Sequence, residues 1–98
     1  MPRDWMNWTC HDVIAFLQDH FFVHVHTRGS HYYFKGRVDN AIRLVEVPYH
    51  AQQSIKPRTL RHSIIPKSGI PASIWKKWGN AGNKRARKKI IYPGAQEI

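Results

Sequence analysis

The sequence predicts an α+β domain: one helix, then a three-stranded antiparallel sheet, then further helices packed on one face of that sheet. Three observations carry this. Val13, Phe16, Leu17 and His20 recur at i, i+3, i+4 and i+7, the period of a helix with one largely apolar face. Two runs rich in β-branched and aromatic residues flank Gly29-Ser30, a turn signal, and read as a hairpin. After Pro48, which cannot donate to a ladder, Pro57, Gly69 and Pro71 set the starts and stops of helical segments.

Taken in order, residues 1–8 are a loose lead-in carrying Trp5 and Trp8. Thr9 caps the first helix, and Asp12 three residues later completes a capping box. Trp8 and Val13 fit a hydrophobic staple, and the helix runs to about Asp19. The first strand covers about Phe21 to Thr27. Strict alternation places Phe21, Val23 and Val25 on its core face and Phe22, His24 and His26 on the other. The second strand covers about Ser30 to Lys35, with Tyr32 and Phe34 facing the core. Residues 36–40 form a longer turn. The third strand covers about Ile42 to Val47, with Val45 and Val47 inward and Leu44 and Glu46 outward. One sheet face is therefore apolar and the other mixed, carrying His24, His26, His31, Tyr33, Lys35 and Glu46.

Tyr49 to Ile55 is a connecting loop. The second helix begins near Pro57 and turns Leu60 and Ile64 to the core. Pro66 lacks an amide donor and clashes with the carbonyl of His62, so regular helix kinks or ends near Ile65. Gly69 stops it. Pro71 to Trp78 is a short third helix that Gly79 ends. Residues 1–79 are thus the folded domain. Residues 80–98 are a basic tail, with Lys84, Arg85, Arg87, Lys88 and Lys89 close together. Such a run is expected to be solvated and flexible, with contact to phosphates as its functional reading. Ile90, Ile91 and Tyr92 are the residues that would instead tie it to the domain.

The chain has 98 residues, room for one modest core, and a formal net charge of +10. That excess favours a polyanionic partner: RNA, DNA or an acidic protein. No apolar run approaches the roughly 18 residues of a spanning helix, so no membrane partner is expected. The first residues lack the apolar core of a signal peptide, and a single cysteine, Cys10, precludes an internal disulfide. Both point to the cytoplasm. Aromatic and imidazole side chains on the mixed face of so basic a chain suit a nucleic-acid surface.

His31 is the first residue out of the hairpin turn, held by the sheet yet open to solvent. That position suits a general acid or base, although it is also that of an ordinary exposed strand histidine. His24 and His26, two apart, form half of a metal site at most, and no cysteine or acidic cluster completes it. No metal and no cofactor is expected.

Several segments, in order, resemble the HicA family of bacterial and archaeal toxins over about residues 9 to 78. They are Asp12-Val13-Ile14 to Leu17, then Arg28-Gly29-Ser30-His31-Tyr32-Tyr33-Phe34, then Val47-Pro48-Tyr49-His50. Ile55-Lys56-Pro57-Arg58-Thr59-Leu60-Arg61 and Ser68-Gly69-Ile70 follow. The resemblance implies a fold like the double-stranded RNA-binding domain. It implies a metal-independent ribonuclease that cuts mRNA and halts translation, with His31 catalytic. It implies a HicB-type antitoxin as protein partner, and no DNA binding by the chain on its own. Three departures stand out. Asp19-His20-Phe21 occupies the place where the family has Gly after the first helix, so Asp or His must make that turn. Arg58 stands where Gly is common. Pro66 falls within the second helix, and His62 adds a residue there.

RNA is cut without metal when its own 2′-hydroxyl attacks the neighbouring phosphorus. The protein must then move a proton and stabilise the charged phosphorane. His31 is the acid or base. Arg28, Lys35 and Arg61 are candidates for phosphate contact, and Tyr33 for contact with RNA from the mixed face. Ser30 is either a second participant or a turn-stabilising serine. Glu46, if it lies across from His31, would favour the imidazolium. The alternative is a non-catalytic RNA-binding module of the same fold.

Overall fold

The computed structural model describes residues 5–98. The first residues of the lead-in, weighed above for a signal peptide, lie outside the described residues. Helix α1 spans Cys10–Asp19. Its capping box forms as expected: the Asp12 amide donates to Thr9 Oγ1 at 3.1 Å, and the Thr9 amide donates to Asp12 Oδ2 at 3.0 Å. Trp8 and Val13, the expected staple, are both fully buried. Trp8 is no part of a loose lead-in. It stacks on Trp78 at 5.9 Å and meets Trp75 at 5.7 Å, and its carbonyl accepts from the Ile55 amide.

The exit from α1 differs from expectation. Neither Asp19 nor His20 makes the left-handed turn; Phe21 does, at φ 70°. The Phe22 amide then closes back on the Leu17 carbonyl at 2.9 Å. His20 is fully buried and cannot be spared for the turn, and Phe22 must enter the core. The residue between them takes the strained conformation.

Strands β1 (Val23–Arg28), β2 (His31–Val38) and β3 (Ala41–Pro48) form an antiparallel sheet in that order. Gly29 opens the β1–β2 turn at φ 59°, the sign a two-residue hairpin with Gly first requires. The expected core face of β1 is wrong. Val23 and Val25 are about half exposed, at 50% and 48%, whereas Phe22 is buried. A bulge between His24 and His26 breaks the alternation. His24 pairs with Phe34 and lies on the core side; His26 pairs with Tyr33 on the opposite side. The two histidines weighed as a metal pair are thus separated by the sheet.

The long turn expected over residues 36–40 is also absent. β2 continues to Val38, a core residue, and Asp39-Asn40 turn alone at φ 53° and 65°. Two consecutive left-handed residues make the tight turn that matches sheet twist, and Asp and Asn tolerate that region. Gly36 allows Phe22 in: a Cβ there would sit 2.6 Å from the Phe22 ring.

Helices α2 (Pro57–Thr59) and α3 (Ile65–Ser68) are joined through a π-helical turn, Leu60–Ile64, into one continuous helix. The widened turn precedes Pro66, and the helix continues past Ile65. Gly69 ends it at φ 72°. Helix α4 (Ala72–Asn80) runs through Gly79 instead of stopping there. Gly79 serves close packing: a Cβ would meet Trp8 Cζ2 at 2.6 Å.

Residues 80–98 are folded onto the domain, contrary to the expected flexible tail. Helix α5 spans Lys84–Lys88, capped by Asn83 Oδ1 accepting from the Ala86 amide at 2.9 Å. The Arg87 guanidinium lies 4.3 Å over the Trp78 ring. The Tyr92 hydroxyl donates to Asp39 at 3.0 Å. Strand β4 (Ala95–Gln96) pairs with β2 at Arg37 and Val38, just past the point where β1 pairing begins at Lys35. The apolar Ile90 and Tyr92 supply the packing that outweighs self-repulsion of the charge run.

The core lies between the sheet and the helices. Phe34, Val38, Val45 and Val47 meet Phe16, Leu17, Leu60, Ile64, Trp75 and Trp78. The opposite sheet face carries exposed Val23, Ile42 and Leu44 beside its polar residues. No helix among the described residues is long and apolar enough to cross a membrane.

Candidate functional site

The uncovered sheet face gathers most of the residues singled out in the sequence. His31 starts β2 with Arg28 opposite it on β1 and Pro48 opposite it on β3. Directly paired residues share a face and alternate residues return to it, so Arg28, His31, Tyr33 and Lys35 stand on one surface. Glu46 pairs directly with Tyr33. Its carboxylate reaches diagonally, and Oε2 lies 2.7 Å from His31 Nδ1. The two side chains are 45% and 39% exposed, so the pair is open to solvent. The contact has ion-pair distance without the alignment of a linear N–H···O bond. Nδ1 is engaged, which leaves Nε2 as the ring nitrogen open to a ligand.

Tyr33 sits beside this pair. Partial loss of solvent, then the adjacent Glu46 carboxylate, pushes its hydroxyl above the ordinary tyrosine range, while Arg28 pulls the other way. It stays a proton-bearing donor at neutral pH. His26 approaches the Tyr33 ring at 5.5 Å.

Ser30 lies in the turn itself, where its carbonyl accepts from the Tyr49 amide at 2.6 Å. That bond ties the loop after β3 to the hairpin. Its side chain is exposed next to His31. Arg61 is not brought to the site. It lies exposed on the π-helical turn, in the helical layer behind the sheet, and no contact joins it to His31.

A cleft of about 340 Å³ continues the site past Pro48, the cross-strand partner of His31. His50, Gln53, Ser54, Lys56 and Thr59 line it. The loop that forms it is pinned at both ends. Tyr49 stacks on Tyr32 at 4.4 Å, Thr9 bridges to Ser54, and the Ile55 amide bonds to the Trp8 carbonyl. In the sequence these residues are marked only by Val47-Pro48-Tyr49-His50 and Lys56-Pro57, segments that carry the resemblance, and by His50 as a possible further ligand for a metal at His24 and His26. Among the described residues, no three His, Cys, Asp or Glu side chains cluster closely enough to hold a metal ion.

The arrangement offers an imidazole with one nitrogen against a carboxylate, a protonated phenol beside it, and cations on the same face. It can move a proton and stabilise a developing oxyanion. No protein-family description, curated protein or solved structure matches the chain.

Proposed function

We propose that this protein is a metal-independent endoribonuclease of the HicA-like toxin kind, cutting mRNA in the cytoplasm and held in check by a HicB-like antitoxin. The observation that carries the reading is the His31–Glu46 pair, 2.7 Å apart on an uncovered face that also bears Arg28 and Lys35. His31 Nε2 takes the proton of a ribose 2′-hydroxyl. The 2′-oxygen bonds to phosphorus, the bond from phosphorus to the 5′-oxygen breaks, and solvent protonates the leaving oxygen. The products are a 2′,3′-cyclic phosphate and a 5′-hydroxyl. Glu46 is a positioning residue that holds the ring and favours the imidazolium formed on proton transfer. Tyr33 donates a hydrogen bond to a non-bridging oxygen, and Arg28 and Lys35 offset the phosphorane charge. The cleft past Pro48 takes the flanking nucleotide, with Lys56 toward its phosphate and His50 toward its base.

The antitoxin reading draws on the same face. Val23, Ile42 and Leu44 are each about half exposed there, and cations surround them, so a partner with apolar and acidic side chains would cover them. Induction of the wild-type chain should arrest growth, and induction of His31→Ala should not. Cleavage of RNA by the purified protein should survive a chelator. Equal toxicity of the two forms would leave the non-catalytic RNA-binding reading in its place.

A further inference from the structure

We propose that the concavity between α1, α4 and α5 is a phosphate-binding site that holds a nucleic-acid strand at a second point, away from the His31 face. It encloses about 260 Å³, and its wall includes Gln18, Asp19, Trp78, Lys84, Arg87 and Lys88. Three cations face one carboxylate there. That carboxylate is engaged, since Asp19 Oδ2 accepts from Trp78 Nε1 at 3.0 Å. None of the three cations is ion-paired among the described residues.

The free protein holds these charges at an electrostatic disadvantage. Lys84 and Lys88 are four apart on one helix face, where like charges repel. A helix of one turn has little stability of its own. The fold keeps it in place from both sides. Asn83 caps it, Arg87 lies over Trp78, and beyond it the Tyr92 amide donates to buried His20 Nε2 at 3.0 Å. Contacts of this number hold cations in a fixed array that an anion would relieve. Arg87, half-buried in the wall of the same concavity, has its Nε without a hydrogen-bond partner. A phosphate suits the site because its several oxygens accept from more than one cationic donor at once. A net charge of +10 favours that phosphate as one of a polyanionic strand.

The location separates this site from the first. His11, near the start of α1, packs edge-on against Tyr49, whose amide bonds the Ser30 carbonyl beside His31. Gln18 and Asp19 lie at the other end of α1, about 10 Å further along at 1.5 Å per residue. A strand that reaches both must be longer than a dinucleotide. The inference goes beyond the cleavage reading and holds whether or not His31 cuts RNA.

The test uses the full chain and the double variant Lys84→Gln/Lys88→Gln. In chloride buffer the variant should melt at or slightly above the wild type, because a repulsion has been removed. In inorganic phosphate at matched ionic strength the wild type should gain melting temperature and the variant should not. RNA binding is then measured with His31→Ala in both backgrounds, using single-stranded RNA of about 12 nucleotides, a length typical for a small domain. Loss of two phosphate contacts should flatten log K against log salt by about 1.4, so the wild type loses about sevenfold more affinity than the variant between about 50 and 200 mM salt. Binding of a dinucleotide should be unchanged. A lower melting temperature in chloride would assign α5 a structural role instead. Equal phosphate responses, or equal salt slopes, would overturn the site. So would a polyglutamate peptide that loses as much affinity as RNA on the double substitution, since the surface would then be one for acidic proteins.

Discussion

His20 is the residue through which acid should loosen this fold. It is fully buried and stacks on Phe16 at 4.3 Å. Its Nδ1 lies 2.8 Å from the Phe16 carbonyl, and its Nε2 accepts from the Tyr92 amide at 3.0 Å. Only the neutral ring with its proton on Nδ1 satisfies both partners. Protonation would set a second N–H against the Tyr92 amide and place a charge in the core. Burial accordingly pushes the His20 pKa below its ordinary value, against the opposing pull of the Phe16 carbonyl and Asp19. The sign follows from proton uptake. Below the unfolded value of about 6.5 the unfolded chain binds a proton that the folded chain refuses, so stability is full above that pH and falls beneath it, by at most about 1.4 kcal/mol per pH unit. His20→Phe keeps the stack and most of the volume but orphans the Tyr92 donor. The Phe16 carbonyl retains the His20 backbone amide at 3.2 Å, so one orphan group is left, at about 1–3 kcal/mol. For a domain of this size about 2 kcal/mol is roughly 8–16 °C in melting temperature. Thermal melts of both proteins from about pH 7.5 to about pH 5 check this, with amide exchange at Tyr92 reporting release of the C-terminal segment. The variant should melt lower at neutral pH and lose less on acidification than the wild type. Equal melting temperatures, or parallel acid responses, would refute the role given to His20.

Phe21→Gly should raise the melting temperature by a few degrees, because Gly adopts φ 70° without the roughly 1–2 kcal/mol that a side chain incurs there, partly offset by added freedom in the unfolded chain. Gly79→Ala should lower stability by about 1–3 kcal/mol in a urea titration despite its better helix propensity, because the new methyl meets Trp8. Truncation after Gly79 should lower the melting temperature markedly, since it removes α5, β4 and the donor to His20; an unchanged melt would restore the flexible-tail expectation.

What sequence reasoning reached and missed follows the range of the interactions involved. Thr9 and Asp12 bond within one turn, and Gly29 and Gly69 set local backbone signs, so all were legible from adjacent residues. The order helix, hairpin, third strand, helices was legible because its signals are periodic. The faces of β1 were not. A bulge between His24 and His26 reverses the alternation within the strand, so Phe22, Val23 and His24 before it take the faces opposite to those expected while His26 after it keeps its own, and nothing local marks it. Phe21 takes a glycine's conformation because Phe22 must pack over Gly36, a constraint from across the sheet. Gly79 reads as a stop until Trp8 is placed against it. The basic run reads as a tail because its anchors, His20, Asp39 and Arg37, lie far away in the chain. At the site, His31 was legible from the turn, and the contact with Glu46 from counting along β3. Arg61 is exposed on its helix as the spacing implies, but its separation from His31 was not legible, because face assignments do not say which layer a helix joins. The cleft at Lys56 depends on a loop pinned by Trp8 and Ser30, which no local pattern announces.

The most direct measurement is the rate at which purified wild type and His31→Ala cut a short RNA whose product ends are identified, with binding of the same RNA measured in parallel. Wild type should leave a 2′,3′-cyclic phosphate and fail on RNA carrying a 2′-deoxy sugar at the cut. His31→Ala should bind as tightly and melt at the same temperature, with cleavage slower by about 10²-fold or more. An undiminished rate in His31→Ala, or wild-type cleavage at a 2′-deoxy position, would contradict the assignment of His31 as the base.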